Sequence, residues 1–140
     1  MTDLERARSL LVEERTCVLV KGDTVVSSDK KGIAPMMDFL AEGRDLRGFS
    51  VADRIVGKAA AMLFVKAGVT AVYAEVLSAP GKAYLEAHGI GVTYGTLTER
   101  IINRAGTGLC PMEETVSAIE DAEEGYQALG AKIAAMRAAH

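Results

Sequence analysis

The sequence predicts an α/β protein built on a mixed β-sheet with helices on both faces. Three observations carry this expectation. Two β-branched runs, Cys17-Val18-Leu19-Val20-Lys21 and Thr24-Val25-Val26-Ser27-Ser28, are separated only by Gly22-Asp23, the signal of an antiparallel hairpin. Val69 to Leu77 is a nearly continuous apolar run, which suits a central strand buried on both sides. Segments of helical periodicity alternate with the later strands, and a strand–helix–strand order implies parallel pairing.

Each element follows from local pattern. Leu4, Ala7, Leu10 and Leu11 recur at helical spacing and predict an amphipathic helix over residues 3–14. After the hairpin, a short helix is expected over 34–42, with Pro35 near its start and Gly43 past its end. Residues 51–67 read as a long helix. Ser50 and Asp53 have capping-box spacing, Val51, Ile55, Ala59, Met62 and Leu63 form its buried stripe, and Gly68 stops it. Ser78-Ala79-Pro80 opens a helix reaching about His88, before Gly89, and Ile90 to Tyr94 is the next strand. Thr96 to Asn103 reads as a helical turn. Pro111 to Arg137 is helical, with Gly125 and Gly130 as the weak points. No repeat, low-complexity tract or linker interrupts the chain, so residues 1–140 are expected to form a single domain.

Composition narrows the function. The chain has 140 residues, 49% hydrophobic and 25% charged, with a formal net charge of −3. That balance gives no basic surface for general nucleic-acid binding, and five per cent aromatics without Trp give no stacking platform. No apolar run approaches the roughly 20 residues of a membrane helix. The start, Met-Thr-Asp-Leu-Glu-Arg-Ala-Arg, has no signal-peptide apolar region, so a cytoplasmic protein is expected. Cys17 and Cys110 are then expected as free thiols. Two cysteines and two histidines make no metal-binding cluster, so neither a metal nor another cofactor is predicted.

The most informative stretch is Asn103-Arg104-Ala105-Gly106-Thr107-Gly108-Leu109-Cys110-Pro111-Met112-Glu113-Glu114. Pro111 at a first helical position makes Cys110 the expected N-cap, where unpaired N–H groups favour anions and thiolates. Glu113 and Glu114 fit the same helical turn for dipole reasons alone.

The chain resembles the uncharacterised DUF1893 family over nearly its whole length. The most distinctive strings are Asp53-Arg54-Ile55-Val56-Gly57-Lys58-Ala59-Ala60 and Gly108-Leu109-Cys110-Pro111-Met112-Glu113. The resemblance implies a cytidine-deaminase-like fold, a three-layer α/β/α arrangement. Zinc deaminases carry His-x-Glu or Cys-x-Glu at one helix start and Pro-Cys-x-x-Cys at the next, the Glu shuttling protons to the metal-activated water. Here the expected helix starts read Val51-Ala52-Asp53 and Pro80-Gly81-Lys82-Ala83-Tyr84, without those ligands. Zinc-dependent deamination is therefore not expected.

The resemblance and the helix starts together select candidate residues. If the protein is an enzyme, Asp53 is the expected base and Cys110 the expected nucleophile, in a metal-independent reaction. Lys58, Ser78, Gly81, Lys82, Arg104, Thr107 and Gly108 are the expected ligand contacts, converging on a small anionic or nucleotide-like molecule. Bland alternatives stand beside them: a capping Asp, solvated cations and ordinary turn chemistry. Two other functions compete. One is a non-catalytic regulatory protein that self-associates through the Ala-rich terminal helix, and the other is a redox sensor relying on Cys110.

Overall fold

The structure is a computed structural model and describes residues 1–103 and 105–139. Its elements run α1 (Asp3–Leu10), β1 (Cys17–Lys21), β2 (Thr24–Ser28), α2 (Ala34–Ala41), β3 (Ser50–Val56), α3 (Lys58–Ala67), β4 (Ala71–Ser78), α4 (Ala79–Ala87), β5 (Gly91–Thr98), α5 (Pro111–Val116) and α6 (Ala122–Ala138). The strands form one five-stranded sheet in the order β2-β1-β3-β4-β5. The hairpin is antiparallel, β1 pairs antiparallel with β3, and β3, β4 and β5 are mutually parallel. This is the mixed α/β sheet expected from the sequence.

The largest difference lies between residues 50 and 67. The expected single helix is a strand, a glycine and a shorter helix. Ser50 is no helix cap; it begins β3, where it faces Ala71 of β4. The apolar residues matched a helical period, but Val51, Ile55 and Val56 are β-branched and flank a parallel neighbour that pairs with them. Gly57 then sits in extended conformation as the N-cap of α3. Arg54 therefore lies in the strand, and Lys58 opens the helix.

The new helix explains its own composition. In α3 every residue from Lys58 to Phe64 is buried, as expected of a helix enclosed on all sides. It lies between the sheet and α2, α4, α5 and α6. Met62, Leu63 and Phe64 are fully buried, each contributing about 2 kcal/mol of burial free energy. Gly68 closes the helix in the left-handed conformation, φ 80°.

Among the described residues, α1 is the helix that covers the opposite face of the sheet, against β1, β3 and β4. Ala7 and Leu11 pack there with Val18, Val20, Ala52 and Tyr73, forming a smaller second core. Arg8 lies 4.4 Å over the Tyr73 ring.

Two further boundaries move. β5 runs on through Gly95 to Thr98, so the expected turn from Thr96 is strand, and Ile102 forms an isolated bridge with Leu109. The terminal helical region breaks after Val116 rather than at a glycine. Asp121 caps α6 by accepting the Glu124 N–H at 2.9 Å. Gly125 and Gly130 lie inside α6, which packs on α3 through Gly125 and Leu129. Among the described residues, no helix is long and apolar enough to cross a membrane.

Candidate functional site

A cleft of about 360 Å³ opens at the carboxyl end of β3, between the starts of α2 and α3. Lys31, Gly32 and Ile33 line it from the turn before α2, Gly57, Ala59 and Ala60 from the N-cap and first turn of α3, and Ile101, Cys110, Met112 and Glu113 from the other side. Open α/β sheets place ligand crevices at such strand ends. The sequence pointed instead to the starts of the helices at 51 and 80. Recognising residues 51–56 as strand moves the junction one helix back along the chain.

Asp53 is the cleft's most perturbed group. It lies in β3 directly opposite Cys17 of β1 and retains only 6% exposure. Burial raises its carboxyl pKa to about 8, although the Arg54 N–H donates to Oδ1 at 2.7 Å and the Ile55 N–H also favours the anion. The carboxyl is therefore mostly neutral at pH 7. Burial, with Asp53 adding, also pushes the Cys17 thiol well up. The Arg54 side chain faces away from Asp53. It donates to Glu75 Oε2 at 2.7 Å and to the carbonyls of Glu13 and Arg15, tying the loop after α1 to the sheet.

Glu113 was read in the sequence as a first-turn residue of its own helix. It serves another. Its Oε1 accepts the Lys58 N–H at 2.8 Å and its Oε2 accepts the Ala59 N–H at 2.9 Å, so a buried carboxylate closes the start of α3. Gly57 permits this, because a Cβ there would overlap the carboxylate. The only sequence signals were the lone Gly57 in an otherwise helical pattern and the pairing of two distinctive strings.

Cys110 lines the cleft half-buried. It is the N-cap of α5, but through its carbonyl, which accepts the Glu114 N–H at 3.0 Å; its thiol makes no capping bond. Pro111 supplies no N–H, and α5 is only 6 residues long. These features weaken the activating field expected from the sequence.

Of the other candidates, Lys58, Ser78, Gly81, Lys82, Thr107 and Gly108 do not line the cleft. The Lys58 ammonium points to the far side of α3, where it donates to the Ser117 carbonyl and to Glu120, both at 3.3 Å. Ser78 caps α4 by accepting the Gly81 N–H at 3.0 Å. Gly81 does allow a close approach, but to the protein itself: a Cβ would stand 2.9 Å from the Gly57 carbonyl carbon. Lys82 pairs with Glu86 along α4. Thr107 closes a loop with Asn103, its N–H donating to Asn103 Oδ1 at 3.1 Å, and Gly108 accepts the Asn103 N–H at 2.8 Å. Arg104 lies outside the described residues. Among the described residues, no three His, Cys, Asp or Glu side chains come together as a metal set.

The domain of unknown function DUF1893 matches residues 6–133, so the chain belongs to that family. No curated protein matches it. The crystal structure of a DUF1893 family protein from Thermotoga maritima superposes with a TM-score of 0.82 at 24% identity, covering 94% of this chain and 91% of that one. That likeness shows the fold, an α/β arrangement with a mixed five-stranded sheet. A diaminohydroxyphosphoribosylaminopyrimidine deaminase/5-amino-6-(5-phosphoribosylamino)uracil reductase from the same organism matches at a TM-score of 0.47 and 18% identity. The match covers 65% of this chain and 34% of that one.

Proposed function

We propose that this DUF1893 protein binds a small uncharged heterocycle, of nucleobase or nucleoside size, in the Asp53 cleft. The observation that carries the reading is a buried carboxyl placed as the polar anchor of an otherwise largely apolar cleft. Its volume of about 360 Å³ is within the usual range for ligand pockets. A neutral carboxyl both donates and accepts, which matches a ligand edge bearing one donor and one acceptor.

The anionic part of the expected ligand finds less support here. The start of α3, the natural anion-binding element, is already neutralised by Glu113, and Lys58 and Lys82 face elsewhere. Lys31 is the cleft's remaining lysine. A phosphate group would therefore project toward the α2 side or stay outside.

If chemistry follows binding, Asp53 is suited to proton transfer because its protonation changes near pH 8, and Cys110 lines the same cleft. The test is native mass spectrometry of gently purified protein, followed by calorimetric titration with a panel of nucleobases and nucleosides. Saturable binding that is lost in Asp53→Leu and kept in Asp53→Asn, whose amide also donates and accepts, supports the reading. Wild-type protein that arrives empty and binds nothing in the panel overturns it.

A further inference from the structure

Lys58 places a cation where the heterocycle cleft does not use it. Its side chain is about nine-tenths buried, and its ammonium opens onto a second cavity of about 360 Å³ lined by Pro80, Ala83, Tyr84, Ala87, His88 and Glu120. Of its three N–H donors, one meets the Ser117 carbonyl and one meets Glu120, each at 3.3 Å. The Glu120 side chain is 82% exposed. A buried ammonium thus relies on a long, solvent-facing ion pair, a contact of the weak kind that another oxyanion displaces.

The opposite wall is preorganised. Tyr84 fixes the loop by donating its O–H to the Glu120 carbonyl at 2.7 Å, and its ring stacks on His88 with centroids 4.2 Å apart. His88 Nδ1 lies 2.8 Å from the Tyr84 carbonyl, which only accepts, so that nitrogen carries the proton. In the neutral ring this leaves Nε2 as the acceptor. Hydrogen phosphate, or the monoanion of a phosphomonoester, satisfies both walls, its charged oxygen on Lys58 and its O–H donating to His88.

We propose that this cavity, on the α4 side of the first turn of α3, is a binding site for a phosphate group, supplied as hydrogen phosphate or as a phosphomonoester. It is separate from the heterocycle cleft and does not depend on that reading. The site touches the cleft through one residue, since the Lys58 backbone N–H holds Glu113 while its side chain faces the second cavity.

The experiment is an NMR titration of the full chain with inorganic phosphate at constant ionic strength, following backbone amides and the His88 ring. Saturable shifts at Lys58, Tyr84, His88 and Glu120 are expected. Glu120→Gln removes the competing carboxylate and should tighten binding several-fold. Lys58→Met, similar in volume, should weaken it at least tenfold while the circular dichroism spectrum stays unchanged. Shifts that never saturate, or equal affinities in wild type and Lys58→Met, overturn the proposal. If Lys58→Met does not fold, the Glu120→Gln comparison decides: affinity unchanged or weakened rejects the site. A phosphomonoester binding more tightly than phosphate identifies the ester as the better source.

Discussion

The Glu113 carboxylate lies against the Cα of Gly57, where a Cβ would stand 2.7 Å from Oε2 and closer still to Oε1. Neither residue is replaceable without disturbing the other. Gly57→Ala should expel the carboxylate from the Lys58 and Ala59 N–H groups, and Glu113→Ala should leave those donors open. Each single change is expected to destabilise by roughly 3–6 kcal/mol, the scale of two hydrogen bonds to a charged group. In the double variant the loss should be much smaller than the sum, because both remove the same contact. Urea denaturation of the four proteins checks this; additive losses would show that the two residues act separately.

Asp53 makes stability depend on pH with a sign that can be worked out. Folding raises its pKa from 3.8 to about 8, so between those values the folded chain holds a proton that the unfolded chain has released. Asp53's contribution is greatest below about pH 4 and is lost as pH rises through about 8. The slope is about −1.4 kcal/mol per pH unit across the window, giving a total of a few kcal/mol. Asp53→Asn should flatten the profile and raise stability at pH 8, while keeping heterocycle binding. Denaturation curves at pH 5, 7 and 8.5 would detect it, and parallel profiles for both proteins would rule it out.

The two glycines inside α6 should respond in opposite directions. Replacing a helical glycine by alanine gains about 1 kcal/mol of propensity where there is room. At Gly130 the nearest side-chain atom to a new Cβ is Met37 Cε at 3.8 Å, so Gly130→Ala should stabilise by about 0.5–1 kcal/mol. At Gly125 the Cβ would meet Met62 Cε at 2.7 Å and Sδ at 2.8 Å, and Met62 is fully buried with little freedom to retreat. Overpacking of about 1–3 kcal/mol then outweighs the propensity gain, and Gly125→Ala should lower the melting temperature. A rise for both variants would show that Met62 repacks freely. The same contacts imply that deleting α6 after Gly125 would expose the core around Leu129 and Met62, so the terminal helix belongs to the fold.

The sequence disclosed the sheet through its plainest signals and concealed the site for identifiable reasons. Hairpin, central strand and the α4 cap were readable because Gly22-Asp23, the apolar run to Leu77 and Ser78-x-Pro80 act locally. The β3–α3 boundary was not, since Asp53-Arg54 interrupts the apolar run just where a two-sided strand would have declared itself. Those two charges sit in a central strand because Asp53 gives up its charge and Arg54 pairs with Glu75. The break before α6 was hidden by the glycines that follow it, although Asp121 and Glu124 already stood at capping-box spacing. Glu113 was beyond local reading: it meets backbone groups 54 and 55 residues earlier in the chain. Family resemblance led to the α/β fold, but one of its two motifs was laid on a helix start at residue 51 that lies in β3, while the other fell on the true start of α4.

Cys110 and Cys17 should be distinguishable by rate. Cys110 is half-buried on the wall of the cleft, while Cys17 has no exposed surface and a thiol pushed well above its usual range by burial. A disulfide-exchange reagent needs access and thiolate, and only Cys110 offers the first. Folded protein should therefore release one equivalent of chromophore in the fast phase and the second only on unfolding. The fast phase also reports on the cleft: a heterocycle bound beside Asp53 should slow it in proportion to occupancy, and Cys110→Ser should remove it without weakening binding. If Cys110→Ser instead abolished binding, the thiol would be a direct ligand contact. If ligand left the rate unchanged at saturation, binding would have to occur elsewhere on the protein.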